Sequence, residues 1–268
     1  MYIYLDYPVR SRPRYGYGKP PHPALYSIIE SHRSVYQKYI NDFFDYKEQL
    51  HKINRHEDKV NSKAPGWMNG WFSGLDAVVL YCFISIFKPK RYLEIGSGNS
   101  TKFARRAISD QGLDTSVTSI DPNPRAEIND ICEKIIREPI EELDLTIFKQ
   151  LQAGDILFID NSHRVFMNSD VSVVFLDILP YLPTGVLVHF HDIFLPYDYP
   201  PEWGARYYSE QYLLAAYLLA QGNKCEIVMP NAFISNDKEL SGEVLPLWES
   251  ATMEGVQTSG GSFWIRTK

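Results

Sequence analysis

The sequence is short of the residues that mark secreted, zinc-binding and membrane-spanning proteins. Its three cysteines, Cys82, Cys132 and Cys225, lie far apart and form no C-x-x-C pair. This spacing favours reduced, structural thiols in the cytoplasm over disulfides or a zinc site. No signal peptide is recognisable, and the longest apolar run, 77–87, is about half the length of a membrane span. We therefore expect a cytoplasmic protein without a membrane partner.

Positive charge is scarce as well. The net charge is −6 at pH 7, whereas a protein that binds a phosphate backbone needs a basic face, so nucleic acid is not an expected partner. Apolar residues make up 44% of the chain, as in globular proteins, and 268 residues suffice for one α/β domain with an extension.

Several catalytic motifs are absent. The chain has no Walker sequence and no H-E-x-x-H pair, and the segment 96–100 is not a G-x-S-x-G elbow. These absences argue against phosphate-binding-loop, zinc-protease and serine-hydrolase chemistry. The dinucleotide motif G-x-G-x-x-G is broken too, because Thr101 stands where its third glycine is expected.

The most informative stretch that is present is 91–101, Arg-Tyr-Leu-Glu-Ile-Gly-Ser-Gly-Asn-Ser-Thr. It is typical of a short buried strand that ends in a glycine turn and opens a helix. Gly96 and Gly98 let the backbone bend sharply and approach a ligand closely. The free amides at the start of the helix favour a negatively charged group. The turn therefore predicts a nucleotide-like cofactor.

Two acidic residues indicate which cofactor it is. Glu94 lies two residues before Gly96, and an acid followed by x-Gly-x-Gly resembles the first motif of class I S-adenosylmethionine-dependent methyltransferases. The alternating strand 115–121 ends in Asp121, whose carboxylate is placed to accept the hydroxyls of a ribose. We therefore predict S-adenosylmethionine.

The first 65 residues differ in pattern from the rest. Residues 1–24 are rich in tyrosine, arginine and proline, which excludes a helix or a central strand, so we expect an extended arm on the body or on another subunit. Apolar residues recur at helical spacing over 25–53. This pattern predicts a long amphipathic helix that covers the domain, a partner or a second copy in a homodimer. We assign 1–65 to this extension and 66–268 to the methyltransferase domain.

In the main domain, apolar strands alternate with helical segments. The predicted fold class is α/β, a doubly wound, Rossmann-like and mostly parallel seven-stranded sheet with an N-terminal helical extension. The strands expected after the glycine turn are 115–121, 135–139, 154–160, 186–192, 225–229 and 262–266. The expected helices are 76–87, one that starts over 100–107, 122–134, one that ends at Leu151, 169–182, and 209–221 closed by Gly222.

Two further predicted strands end in acids, Asp160 and Asp192, and ligands of open parallel sheets lie beyond such strand ends. Each acid has a histidine nearby, His163 and His191. Methyl transfer from a sulfonium needs an aligned acceptor and, for a hydroxyl, removal of a proton, which a histidine beside a carboxylate can accept. We expect these four residues to orient and deprotonate the acceptor, and we expect His189 to be a hydrogen-bonded core residue.

A divalent metal ion is the competing interpretation of this cluster. Asp160, His191 and Asp192 offer oxygen and nitrogen ligands, and a metal ion would lower the pKa of an acceptor hydroxyl. Metal-dependent catechol-type O-methyltransferases use carboxylates at these two strand ends, but their second acid is followed by a polar ligand, where this chain has Ile193. A metal is left undecided and is not favoured.

Four segments together are similar to the methyltransferase-24-like group, a bacterial family of class I methyltransferases: 92–101, 119–122, 158–163 and 188–203. The resemblance runs from about Trp67 to Arg266. With the turn, it gives these expected cofactor-binding residues: Glu94, Gly96, Ser97, Gly98, Asn99, Ser100, Thr101, Asp121, Pro122 and Asp160. It places Asp160, His163, His191 and Asp192 at the reaction end.

The expected activity is O-methylation of a small polar or glycosidic acceptor. The segment 194–208 follows a strand end and should lie over the pocket, either as a lid that only packs or with aromatics that stack on a sugar or flat ring. Arg206 is placed to hold an acidic group. Two alternatives stay open: an NAD(P)-dependent oxidoreductase, and a non-catalytic protein that senses the cofactor or scaffolds a partner through its N-terminal helix.

Overall fold

The computed structural model describes residues 6–57, 63–220 and 225–268. The strands form one sheet in the order β3-β2-β1-β4-β5-β7-β6. β7 runs antiparallel to both neighbours, and every other pair is parallel. The strands are β1 (Arg91–Ile95), β2 (Ser116–Ile120), β3 (Lys134–Ile136), β4 (Ile156–Ile159), β5 (Leu187–Phe190), β6 (Cys225–Pro230) and β7 (Phe263–Thr267). The predicted Rossmann-like, mostly parallel seven-stranded sheet is confirmed.

The register of the sheet aligns the strand ends that carry the motifs. Ile95, the last residue of β1, pairs with Ile120 of β2 and with Ile159 of β4, and Ile159 pairs with Phe190 of β5. β4 and β5 are fully buried, and they are apolar except for His189, as is typical of strands covered on both faces. The residues that follow these four strands therefore lie in a row along one edge of the sheet.

The α-helices of the described part are α1 (Pro23–Glu30), α2 (Arg33–Phe43), α3 (Lys47–His51), α4 (Gly74–Phe87), α5 (Asn99–Asp110), α6 (Asp170–Val173), α7 (Glu210–Leu219), α8 (Asn231–Asn236) and α9 (Lys238–Val244). α6 continues as a π-helical turn over Val174–Ile178, and Ser169 caps its start, as predicted. α4 is apolar on all sides and is buried from Gly74 to Ser85, because it packs against both α5 and α2.

The region predicted as one long helix over 25–53 is instead three helices. α1 stops at Ser31 and His32, whose side chains both hydrogen-bond to the carbonyl of Ile28 in place of a further helical turn. The apolar face, including Ile40 and Phe43, is fully buried within the chain, and α2 packs against α4, α9 and β6. The face from which a homodimer was expected is thus covered by the chain itself.

Other differences lie around β3. The predicted helix 122–134 is a loop with a 3-10 turn at Asn129–Ile131, because Asp121 accepts a hydrogen bond from the amide of Asn123 and starts a turn. The helix predicted to end at Leu151 is a pair of 3-10 helices. The pattern gave no sign of α8 and α9, and the predicted end of α7 at Gly222 lies outside the described residues.

No helix within 6–57, 63–220 and 225–268 is long and apolar enough to cross a membrane. Cys82, Cys132 and Cys225 are all free thiols, as expected.

Candidate active site

The aligned strand ends open onto a cleft of about 710 Å³ above the glycine turn. The expected cofactor-binding residues that line it are Gly96, Ser97, Gly98, Asn99, Ser100, Asp121, Pro122 and Asp160. Glu94 and Thr101 are not in its lining.

The two glycines of the turn have different tasks. Gly96 has a φ of 76°, and a Cβ atom on it would overlap the backbone carbonyl of Asp160, so the ends of β1 and β4 approach each other only because no side chain intervenes. Gly98 is extended, and the nearest atom to a Cβ built on it is Cβ of Arg125 at 4.0 Å. Gly98 therefore leaves the floor of the cleft open to a ligand.

Asp121 presents a fixed carboxylate to the cleft. Its Oδ2 accepts a hydrogen bond from the amide of Ser97 at 2.8 Å, and its Oδ1 accepts one from the amide of Asn123 at 2.7 Å. A carboxylate has about four acceptor positions, so two remain for a ligand's hydroxyl groups. This arrangement fits the ribose-binding role expected of Asp121.

Glu94 lies beneath the turn rather than in the cleft. Its carboxylate is fully buried and accepts hydrogen bonds from the hydroxyls of Tyr92, Ser100 and Thr101. Burial raises the pKa of Glu94 to about 8, although these three hydrogen bonds oppose the rise. Glu94 therefore fastens β1 to the start of α5. Glu94 and Thr101, which were expected to bind the cofactor, thus lie beneath the turn, with both side chains hydrogen-bonded inside the protein.

A second cavity, of about 570 Å³, adjoins the cleft. The two share Asp160, Arg125 and Trp71 in their walls. The guanidinium of Arg125 lies 4.7 Å from the centre of the Trp71 ring. The second cavity also contains the three other predicted reaction-end residues, His163, His191 and Asp192. The structure thus brings all four together where the cavities meet.

His163 is surrounded by three carboxylates. Its Nε2 lies 3.2 Å from Asp160 and 3.5 Å from Asp192, and its Nδ1 lies 2.9 Å from Glu210, which is fully buried at the start of α7. Glu210 also accepts a hydrogen bond from the side chain of Asn161 at 3.1 Å. The imidazole therefore joins the ends of β4 and β5 to α7.

These contacts decide the protonation of His163. Burial alone would lower its pKa, but hydrogen bonds to Asp160 and Glu210 outweigh burial and hold the pKa well above its ordinary value. Burial would raise the pKa of Asp160, but His191 and His163 outweigh that and lower it. The raised pKa favours the protonated form of His163, which is a poor proton acceptor.

His191 lies in a different environment. Its Nε2 is 3.6 Å from Asp192, and its ring is 5.4 Å from the ring of Phe72. Its Nδ1 is buried and has no hydrogen-bond partner among the described residues. Burial lowers the pKa of His191, but the carboxylates of Asp192 and Asp160 outweigh burial and raise it above the ordinary value. His191 thus has one carboxylate close to its Nε2, and its Nδ1 makes no hydrogen bond to the described residues.

The backbone is strained at two reaction-end residues. His163 has a φ of 60° and Asp192 a φ of 54°, in the left-handed region that side chains other than glycine rarely occupy. Such conformations cost on the order of 1–3 kcal/mol and persist where surrounding contacts enforce them. His189, by contrast, is a core residue as expected: its Nε2 hydrogen-bonds to Ser262 at 2.7 Å.

The segment 194–208 forms one wall of the second cavity through Phe194, Trp203, Arg206 and Tyr208. The guanidinium of Arg206 lies 3.9 Å from the centre of the Trp203 ring. The wall is therefore aromatic with a positively charged rim.

The N-terminal arm contacts this wall through Asp198. Oδ2 of Asp198 accepts hydrogen bonds from the amides of Arg14 and Tyr15, and the amide of Asp198 donates to the carbonyl of Tyr15. Asp198 itself is buried. The arm therefore packs on the body, one of the two placements expected for it.

No group of three or more His, Cys, Asp or Glu side chains within the part of the chain that the structure describes is arranged to hold a metal ion. Sequence reasoning missed three residues of the site: Glu210, Arg125 and Trp71. Glu210 and Trp71 lie far from the motifs in the sequence, and only the fold brings α7 and the segment before α4 to the strand ends. Arg125 lies four residues after Asp121, in the loop that was predicted to be a helix.

Residues 93–193 match a family model described as a methyltransferase domain. The matched segment runs from β1 to the residue after Asp192, so it contains the glycine turn and all four reaction-end residues. An uncharacterized protein of Archaeoglobus fulgidus is 28% identical over 135 residues, which make up 47% of this chain and 56% of that protein. This chain therefore spans little more than half the length of that relative.

Several solved structures are similar in outline. The plantazolicin methyltransferase BpumL in complex with SAH is 14% identical with a TM-score of 0.48, over 90% of this chain and 99% of that one. The SAH-bound Podospora anserina methyltransferase PaMTH1 is 17% identical with a TM-score of 0.44, over 85% and 88%. The O-methyltransferase from Bacillus cereus in complex with SAH is 13% identical with a TM-score of 0.39, over 86% and 91%.

Proposed function

We propose that this protein is an S-adenosylmethionine-dependent methyltransferase that methylates a hydroxyl oxygen of a small polar or glycosidic acceptor, because residues 93–193 match a family model described as a methyltransferase domain. The observation that carries the proposal is the meeting of two cavities at Asp160. A methyl donor above the glycine turn and an acceptor beside His191 and Asp192 would react where the cavities join. The family match supports the predicted family and enzyme class. The cofactor, the acceptor and the roles of single residues are our proposal.

The residues of the cleft fit S-adenosylmethionine. Asp121 offers a fixed carboxylate for the ribose hydroxyls, Gly98 leaves the floor open, and the first amides of α5 are free to bind a carboxylate. When bound, the cofactor supplies a methyl group on a sulfonium and a neutral thioether as its leaving group.

We assign removal of the acceptor's proton to His191 together with Asp192. Both residues line the second cavity, and Nε2 of His191 lies 3.6 Å from Oδ1 of Asp192. A neutral His191 takes the proton of the hydroxyl, and the carboxylate stabilises the imidazolium that results. General-base catalysis of this kind contributes about 10²–10⁴-fold to a rate.

His163 acts as a positioning residue in this scheme. As a cation between Asp160 and Asp192, it offsets the repulsion between two carboxylates that face the same space. Its bond to Glu210 anchors the arrangement to α7. His163 therefore holds the two carboxylates in place at the junction.

The second cavity suits an acceptor with a flat face and a polar rim. Trp203, Tyr208 and Phe194 present aromatic surface on which a sugar ring or an aromatic ring stacks. Arg206, already stacked on Trp203, is pre-organised to pair with an acidic group of the acceptor.

A location in the cytoplasm stays a prediction from the cysteine pattern.

The test is methyl transfer from labelled S-adenosylmethionine to pools of glycosides, sugars and phenols, with Mg²⁺ and with a chelator. We expect His191→Ala to bind S-adenosylhomocysteine within twofold of the wild type and to lose turnover by about 100-fold or more. His32→Ala, at the turn between α1 and α2, is the matched control and should retain activity. Unchanged turnover in His191→Ala would remove this residue from the mechanism, and turnover only with Mg²⁺ would replace the proposed base by metal chemistry.

A further inference from the structure

An ion pair between a buried lysine and an exposed glutamate forms part of the wall of the cofactor cleft. Lys102 lies on the fourth residue of α5, its side chain is 4% exposed, and its Nζ lies 3.0 Å from Oε1 of Glu57. Both residues line the cleft. Neither has a place in the mechanism described above, so the pair calls for a reason of its own.

The position of Lys102 is electrostatically unfavourable. The start of a helix carries a partial positive charge, which repels a cation. Burial of an ammonium group costs several kcal/mol unless the group is paired. Among the described residues the one hydrogen-bond partner of Lys102 is Glu57, so two of its three donors are unused there. A second anion at this point would relieve both penalties.

Asn99 supplies an independent observation at the same wall. It is the first residue of α5 and lines the cleft, and its side-chain oxygen is buried without a hydrogen-bond partner in the part of the chain that the structure describes. A buried acceptor without a donor is costly and is expected to meet one when a ligand binds. The wall therefore offers unused donors on Lys102 and unused acceptors on Glu57 and Asn99.

We propose that Lys102 and Glu57 bind the amino-acid end of the methyl donor, Lys102 its α-carboxylate and Glu57, with Asn99, its α-ammonium. That end of the molecule is a zwitterion, so a pair of opposite charges in the wall is complementary to it. Charge-assisted hydrogen bonds are the strongest ones available for this purpose. The inference rests on the proposed function, in which this cleft binds S-adenosylmethionine.

The test compares two ligands by calorimetric titration. S-Adenosylhomocysteine has the amino-acid end, whereas 5′-methylthioadenosine keeps the nucleoside and the thioether but lacks that end. We expect Lys102→Met to weaken S-adenosylhomocysteine binding by about tenfold or more and to leave 5′-methylthioadenosine binding within twofold of the wild type. Glu57→Gln should show the same selectivity with a smaller loss, because its side chain is 42% exposed. The control is Arg106→Met, which breaks the ion pair with Asp110 on the same helix outside the cleft.

The outcomes separate the inference from the proposed function. If Lys102→Met binds S-adenosylhomocysteine with the affinity of the wild type, the inference alone is overturned. An equal loss of affinity for both ligands would also overturn it, because that result indicates a structural role. Should Lys102→Met fail to fold, the selectivity of Glu57→Gln decides. Wild-type protein that binds neither ligand would overturn the proposed function and this inference with it.

Discussion

At the scale of single residues, the site shows how surroundings divide one side-chain type between two tasks. His163 and His191 follow neighbouring strands and looked equivalent in sequence. The structure gives His163 three carboxylate neighbours and His191 one close carboxylate and an unpaired nitrogen. The partner that separates them, Glu210, lies 47 residues after His163, and no local pattern connects the two.

The difference predicts the titration of His191. The pKa of His191 lies above the ordinary 6.5, because the carboxylates of Asp192 and Asp160 outweigh burial. The neutral, proton-accepting form therefore becomes populated at higher pH than in an ordinary histidine. Asp192→Asn removes one of these carboxylates and should shift the midpoint to lower pH. NMR titration of labelled imidazole rings measures this directly, with His32, which lines neither cavity, as the internal reference. A midpoint that does not move in Asp192→Asn would contradict the account.

Glu94 offers a second prediction at this scale. Its pKa of about 8 in the folded protein exceeds the ordinary 4.5, so the folded state binds a proton that the unfolded state has released between these values. The contribution of Glu94 to the free energy of unfolding is therefore present below about pH 4.5 and is lost as the pH rises towards 8. Glu94→Gln lacks this loss. Urea unfolding at about pH 5 and pH 8 should give the wild type an additional decrease of up to a few kcal/mol relative to the variant. Parallel curves for the two proteins would show that Glu94 titrates in the ordinary range.

Among helices and strands, the sequence predicted those that have a regular pattern of apolar residues or a clear residue at which they end. Each strand could be predicted because its apolar run is bounded by glycine, proline or an acid. α4 could be predicted from its long apolar run, which Pro89 ends, and α5 from the glycine turn before it. The loop 122–134 was mistaken for a helix, because its two prolines and acids occur equally at helix starts and in turns. α8 and α9 carry buried residues such as Phe233 and Leu240, but they are too short for a periodic pattern.

The N-terminal helices give the prediction at this scale. Ile40 on α2 is fully buried against the body of the domain, so Ile40→Ala should lower the free energy of unfolding by about 2–5 kcal/mol in a single transition. The neighbouring Lys38→Ala, at a position that is not buried, should change it by less than about 0.5 kcal/mol. Two separate transitions in urea would instead mean that residues 25–53 fold apart from the methyltransferase domain.

At the scale of the whole molecule, the sheet register sets the order of the site. The residues after β1, β2, β4 and β5 fall in a row, with Asp121 at one end, Asp160 at the junction of the cavities and His191 at the other. The segment 194–208, which was expected over the pocket, forms one wall of the second cavity, and the arm and α7 contact the site from parts of the chain that the motifs do not reach. The strand ends and this wall could therefore be predicted from the sequence, whereas the contacts of the arm and α7 required the fold.

In the proposed function, the cleft above the glycine turn binds the methyl donor through Asp121. The most direct measurement is calorimetric titration of S-adenosylhomocysteine, and separately of NAD⁺, into the wild type and Asp121→Ala. We expect micromolar binding of S-adenosylhomocysteine, a loss of about tenfold or more in Asp121→Ala, equivalent to about 1.4 kcal/mol, and no binding of NAD⁺. Binding of NAD⁺ by the folded wild type without binding of S-adenosylhomocysteine would contradict the account and favour an oxidoreductase.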